Sequence, residues 1–343
     1  MGSSSRAYLS ENGQKRLFAL ISFVFIWGFY PGDVGIGDWI AQRLYQLFTL
    51  GNSIGSCFIC IRDFRVPYFP LCSILMTNFT FCFKSYGVGI KIESNSSEVL
   101  DLAVKAAQRA LLERTVEISC SDATQHFQIL GDPDGVYGLF QNGREMATDK
   151  LSHKFWKYFD GLVRILVAEF TKEVVIVHAG VVGWHGKAIV VPGDSFFGKT
   201  TLIAEFIRAG AEYYSDEYAV FDERGMVHPF ERPLAMRSAG PKVVETSTDI
   251  AEIGGRVGRD PIPVGVLLFT KYIPESKVNY QFLSRGEAVV RIVGQTIPIR
   301  RNSEFAIKVL KNAFSSAIIV ESPRSEAREF TRDFLEFVDN TAI

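Results

Sequence analysis

Residues 187–208, KAIVVPGDSFFGKTTLIAEFIR, decide how the chain is read. A β-branched run ends at Pro192. The segment Gly193-Asp194-Ser195-Phe196-Phe197-Gly198-Lys199-Thr200 then fits the pattern G-x-x-x-x-G-K-[ST]. A helical pattern over 201–208 opens directly from it and closes at Gly210. Glycines let backbone wrap tightly around phosphates. A helix N-terminus aims free N–H groups and positive dipole at the same anion. The stretch therefore predicts an α/β protein in which residues 193–200, with Thr201, bind the phosphates of a nucleoside triphosphate. Lys199 neutralises the outer phosphates, and the Thr200 hydroxyl ligates Mg²⁺.

The flanks extend this reading. Residues 174–178 and 181–182 form a strand, Gly183-Trp184-His185-Gly186 turns the chain, and 187–191 return as a hairpin partner. His178 ends a strand beside the loop, where its ring could reach a γ-phosphate. The competing reading is a hydrogen-bonded core histidine. Downstream, a strand over 211–214 enters Ser215-Asp216-Glu217, and 219–221 lead to the turn Asp222-Glu223-Arg224-Gly225, with 226–230 pairing back. Adjacent carboxylates at a strand end are a natural second ligand for Mg²⁺ or a base for a hydroxyl acceptor. Alone, such a pair is usually a solvated turn; its place after the loop and helix favours a role for Asp216, then Glu217. Arg232 and Arg237 could bind phosphate by charge-assisted hydrogen bonds, or lie at strand edges in water. His185 and His228 read as bystanders.

Taken in order, His178, the 193–200 loop, Asp216-Glu217 and the run Pro229-Phe230-Glu231-Arg232-Pro233-Leu234-Ala235-Met236-Arg237 resemble the C-terminal domain of HPr kinase/phosphorylase. The closest likeness is to the shorter HPr-kinase-like serine kinases. The resemblance spans about residues 174–240 and reaches weakly toward 321. It implies a phosphate-loop domain similar to the phosphoenolpyruvate carboxykinase nucleotide domain. It also implies an ATP- and Mg²⁺-dependent kinase acting on a serine of a small protein or peptide. His178 matches the family histidine, Asp216 the base-supplying aspartate and Thr200 the metal-binding Ser/Thr. Three positions depart: Phe196 replaces a glycine, Glu217 an aspartate, and Ala235 the glutamate of the E-x-R-G segment, which puts the phosphorylase direction in doubt. The rival reading is a catalytically reduced ATP-binding regulatory module that acts by ordering a partner.

Working outward, the chain divides by pattern into residues 1–75, a small α+β domain over 76–172 and the kinase-like domain over 173–343. Phe79, Phe81 and Phe83, then Val88, Ile90 and Ile92, alternate around Tyr86-Gly87 as a strand pair. Ser96 or Ser97 caps a helix with Val99, Leu102, Ala103, Ala106, Ala110 and Leu111 on one stripe. Strands over 127–130 and 136–140 flank a turn at 132–135. A helix over 150–171 carries Phe155, Phe159, Leu162, Leu166 and Phe170 inward. The last third predicts strands over 264–271, 278–282 and 317–320. It also predicts a capping box at Ser284 and Glu287, a helix from Ser303, and a last helix from Ser322-Pro323 with Phe330, Phe334 and Phe337 packed.

Residues 1–75 lack either period. A leader, or a true start at Met76, is favoured over an anchor at 17–30, which falls short of the roughly 20 residues of a membrane span, and over a real domain. The 343 residues carry 47% hydrophobic and 22% charged side chains and a net charge of -1, so the whole chain has no electrostatic case for nucleic acid or an anionic membrane. Five cysteines at uneven spacing predict no disulfide framework, and the lone Cys57/Cys60 pair lacks further zinc ligands. Asn78 and Asn95 fit the glycosylation pattern, which matters only for an exported chain. A cytoplasmic protein is expected, with homo-oligomerisation left open.

Overall fold

Apolar residues two apart fold the first described segment into a hairpin. Strand β1 (Phe79–Ser85) pairs antiparallel with β2 (Val88–Ser94). Tyr86 and Gly87 between them take positive φ, 46° and 78°, a turn whose twist suits paired strands. This computed structural model describes residues 79–132, 134–193, 198–237 and 245–341. The expectations for residues 1–75, Met76, Asn78 and the loop residues Asp194, Ser195, Phe196 and Phe197 lie outside them.

Helix α1 (Ser97–Ala110) follows, capped by the Ser96 side chain. Next come β3 (Val116–Glu117), β4 (Gln125–Gly131), β5 (Val136–Gln141), β6 (Arg144–Lys150) and α2 (His153–Phe170), whose cap is Ser152. The six strands form one sheet in the order β3-β1-β2-β4-β5-β6. β2 and β4 run parallel, with α1 as the crossover between them. Phe83, Ile90, Ile92, Phe127, Phe159 and Leu166 belong to the core that α1 and α2 share with this sheet. Leu102 departs from the expected stripe: it is 48% exposed, and Leu100 is buried instead.

Contrary to the cysteine reading, Cys82 and Cys120 form a disulfide. The pairing of β3 with β1, Phe83 opposite Glu117, carries the chain back beside Cys82, a proximity that spacing cannot reveal. Asn95 binds the Gly131 backbone through both its amide nitrogen and its oxygen.

The second half begins with β7 (Val175–Trp184) and β8 (Lys187–Pro192), turned by His185 and Gly186 at positive φ. Helix α3 (Lys199–Arg208) leads to β9 (Glu212–Ser215), β10 (Tyr218–Phe221) and β11 (Val227–His228). β12 (Leu234–Arg237) and β13 (Glu245–Thr248) form a separate hairpin sheet. β14 (Arg256–Val257), β15 (Val264–Tyr272), β16 (Gln281–Phe282), α4 (Arg285–Ile292), α5 (Ser303–Ala313), β17 (Ile318–Arg324) and α6 (Ala327–Asn340) complete the chain. The expected capping box at Ser284 and Glu287 is present.

The main sheet runs β11-β10-β7-β8-β15-β17-β16, with β9 and β14 joined at β7. β8, β15 and β17 are parallel, and the β7 pairings are antiparallel. Two larger core clusters pack on it, beside a smaller one that joins Ile176, Tyr218 and Val220 to Ala168 of α2. One of the larger two holds Ala288, Ile292, Val309 and Leu310 of α4 and α5. The other holds Leu202, Ile203 and Phe206 of α3 with Phe330 and Phe334 of α6. Helices thus cover both faces, and the architecture is α/β with mixed sheets.

Three expectations change. Residues 226–230 and 278–282 supply only the two-residue strands β11 and β16. Ser322 and Pro323 continue β17 rather than opening a helix. β16 pairs only as far as Glu321, so on that side Pro323 interrupts no ladder. Strand β6, absent from the sequence reading, is amphipathic only weakly and mostly exposed. Among the described residues, no helix is long and apolar enough to cross a membrane.

Candidate functional site

The site is organised by the ten-residue strand β7. On one edge it meets two neighbours in turn: residues 175–178 pair with β10 and residues 181–183 with β9. Between them the chain leaves β9 at Ser215 and rejoins at Tyr218, so Asp216 and Glu217 form a bend against the middle of β7. The Ala179 amide donates to the Glu217 carbonyl at 3.1 Å. The Ser215 hydroxyl fixes the bend by accepting from the amides of Glu217 and Tyr218, at 3.2 and 2.9 Å. On its other edge β7 pairs with β8, which delivers the 193–200 loop. A side chain at Gly180 would lie 2.7 Å from Ile203, so glycine there lets α3 approach β7 closely.

Five side chains converge. Lys199, buried in the first turn of α3, places Nζ 2.5 Å from the Gly193 carbonyl and 3.2 Å from His178 Nε2. Thr200 Oγ1 donates to Asp216 Oδ2 at 3.1 Å. The buried Tyr213 hydroxyl lies 3.0 Å from Asp216 Oδ1 and 2.8 Å from the Arg232 carbonyl; its single proton serves one of them at a time. Burial raises the Asp216 pKa above the ordinary aspartate value, and Glu217 adds to this. The hydrogen bonds from Tyr213 and Thr200 pull the other way without overcoming it. Burial also raises the Tyr213 phenol, with Asp216 reinforcing the shift.

Glu217 points into a different network. Its carboxylate pairs with Arg164 of α2. Arg164 also binds Asp160 at 2.9 Å, and Asp160 in turn receives both terminal nitrogens of Arg232 at 3.1–3.2 Å. Burial works against the Arg164 charge, but Glu217, Tyr218 and Asp160 outweigh it and raise its pKa. Four alternating charges thus tie α2 to the Asp216–Glu217 bend.

At the loop's far end, Gly198 is the N-cap of α3 in the left-handed conformation, φ 74° and ψ 24°. Arg324 Nη2 donates to its carbonyl at 2.9 Å.

The structure therefore gathers His178, Lys199, Thr200 and Asp216, with Gly193, Gly198 and Thr201 alongside them in the chain. Glu217 is turned toward Arg164. Arg232 pairs with Asp160 and donates to the Ala110 carbonyl, contacts that neither of its two sequence readings foresaw. His185 and His228 each face a separate carboxylate, Asp339 and Asp222. Asp160, Arg164, Tyr213 and Arg324 were not anticipated. Asp160 and Arg164 stand four apart on a helix whose spacing marks only its apolar stripe, and Arg324 fell in a segment read as helix. Among the described residues, no group of three or more His, Cys, Asp and Glu side chains could hold a metal ion.

Compared with known proteins, the chain matches no family model and no curated sequence.

Proposed function

We propose that the chain is an ATP-dependent serine kinase of the HPr-kinase-like type, built on a phosphate-loop nucleotide domain. It would move the γ-phosphoryl of ATP to a serine hydroxyl of a small protein or peptide. The observation that carries this reading is the convergence of Lys199 with His178 and of Thr200 with Asp216, at 3.2 and 3.1 Å, where β8 gives way to α3. Lys199 and the first amides of α3 hold the phosphates, and His178 lies next to the Lys199 ammonium to orient it. Asp216 takes the proton from the acceptor hydroxyl as the phosphoryl arrives. Its raised pKa makes it a better proton acceptor than a solvated aspartate. Tyr213 holds one carboxylate oxygen and Thr200 the other.

Mg²⁺ fits these residues. The Thr200 hydroxyl and Asp216 carboxylate are hard oxygen donors, and Mg²⁺ commonly takes one or two protein oxygens and completes its shell with water and phosphate. When bound it neutralises charge on the phosphates. Glu217 joins it only if the ion pair with Arg164 opens.

The test separates binding from transfer. Lys199→Ala weakens ATP binding or transfer about ten- to a hundredfold, the value of a charged hydrogen bond to phosphate. Asp216→Asn leaves ATP affinity within a few-fold and cuts transfer to serine peptides roughly 10²-fold. Unchanged ATP affinity and turnover in folded Lys199→Ala defeats the loop assignment. Loss of Mg·ATP binding in Asp216→Asn, with residual transfer proportional to occupancy, confines Asp216 to holding the metal and sends the acceptor proton elsewhere.

A further inference from the structure

We infer that Arg324 is a positioning residue of the phosphate site: it holds the Gly198 carbonyl at the N-terminus of α3. The inference rests on reading the 193–200 loop as that site. The parallel strands β8, β15 and β17 end at one edge of the sheet. β8 runs into the loop, and the last pair of β15 and β17 is Tyr272 opposite Arg324. Ligands of such sheets gather at the carboxyl ends of the strands.

Arg324 is 2% exposed, a degree of burial that arginine seldom reaches. Its Nη1 donates to the Ser325 carbonyl at 3.3 Å, and its guanidinium carbon lies 5.7 Å from the Tyr272 ring centre. Its Nη2 donates to the Gly198 carbonyl, which also accepts the Leu202 amide at 3.1 Å. That carbonyl is the first acceptor of α3, so an arginine pulling on it sets the direction of the helix's free N–H groups. The guanidinium thus holds the turn from which those amides project. Gly198 and Arg324 are also a matched pair, because a side chain at 198 would lie 2.5 Å from Nη2.

The test uses the full chain. ATP and inorganic tripolyphosphate are titrated calorimetrically, with Mg²⁺, into the natural protein and into Lys199→Ala, Arg324→Met and Arg324→Lys. Arg324→Met is expected to weaken both ligands by the same factor, about tenfold, and Arg324→Lys to recover part of the loss. Natural affinity for both ligands in folded Arg324→Met overturns the inference, as does loss of ATP with tripolyphosphate retained. If Arg324→Met does not fold, Arg324→Lys decides: a shared loss of about threefold supports the inference, and unchanged binding overturns it. Failure of the natural protein to bind either ligand defeats the loop reading itself.

Discussion

Replacing Asp160 with alanine tests whether α2 braces the Asp216–Glu217 bend. Asp160 accepts from two guanidinium groups, Arg164 at 2.9–3.0 Å and Arg232 at 3.1–3.2 Å. The side chains are 18%, 12% and 25% exposed, so solvent screens them only in part. A hydrogen bond to a charged group contributes about 1.5–3 kcal/mol. Arg164 retains Glu217 after the change and loses roughly 1 kcal/mol of this. Arg232 retains only carbonyl contact and loses about 2 kcal/mol. The sum, about 3 kcal/mol, sits at the lower end of the cost of breaking a buried ion pair. It corresponds to a fall in Tm of roughly 6–12 °C for a domain of this size. Urea unfolding at constant slope measures the loss, and a double-mutant cycle with Arg232→Ala isolates the pair, with an expected coupling of about 2 kcal/mol. A loss under about 0.5 kcal/mol, the range of ordinary surface substitutions, or a coupling near zero, would refute the bracing role.

Cys120→Ser should lower stability by about 2–4 kcal/mol through release of the loop closed with Cys82; alkylation of both thiols in the folded, unreduced protein would show that the bond is not made. Asp222 is held below the ordinary aspartate pKa. Burial opposes this, but His228 and the amides of Met226 and Arg224 prevail. Its contribution is therefore present above the unfolded pKa of about 3.9 and is lost as pH falls through the lower folded value. Asp222→Asn should flatten the acid limb of a stability–pH curve below about pH 5, and an acid limb identical to that of the natural protein would contradict the assignment. Gly198→Ala places a Cβ at a left-handed φ and against Arg324. It should destabilise by about 1–3 kcal/mol, and calorimetric melting at or above the natural Tm would show that the cap conformation is not required.

Periodicity made the frame legible because local rules act on adjacent residues. The hairpins at Tyr86-Gly87 and His185-Gly186, the caps at Ser96 and Ser284, and the helix opening at the glycine-lysine loop all follow from side-chain alternation and turn chemistry within a few positions. The same locality explains the failures. A parallel pair with β15 holds Ser322 and Pro323 in a strand that their own propensities do not favour. The weak alternation in residues 144–150 becomes β6 only because β5 is there to pair with.

The candidate site divides along the same line. The sequence by itself determined the residue types that suit phosphate chemistry, His178, Gly193, Gly198, Lys199, Thr200 and Asp216, and their order along the chain. Only the tertiary structure decided how they are employed. One long strand hands its edge from β10 to β9, which sets Asp216 against Thr200 and turns Glu217 away to Arg164. Asp160 and Arg324 lie far along the chain from the groups they hold, and an ion pair or a buried guanidinium depends on distance in space, which no local pattern in the sequence encodes.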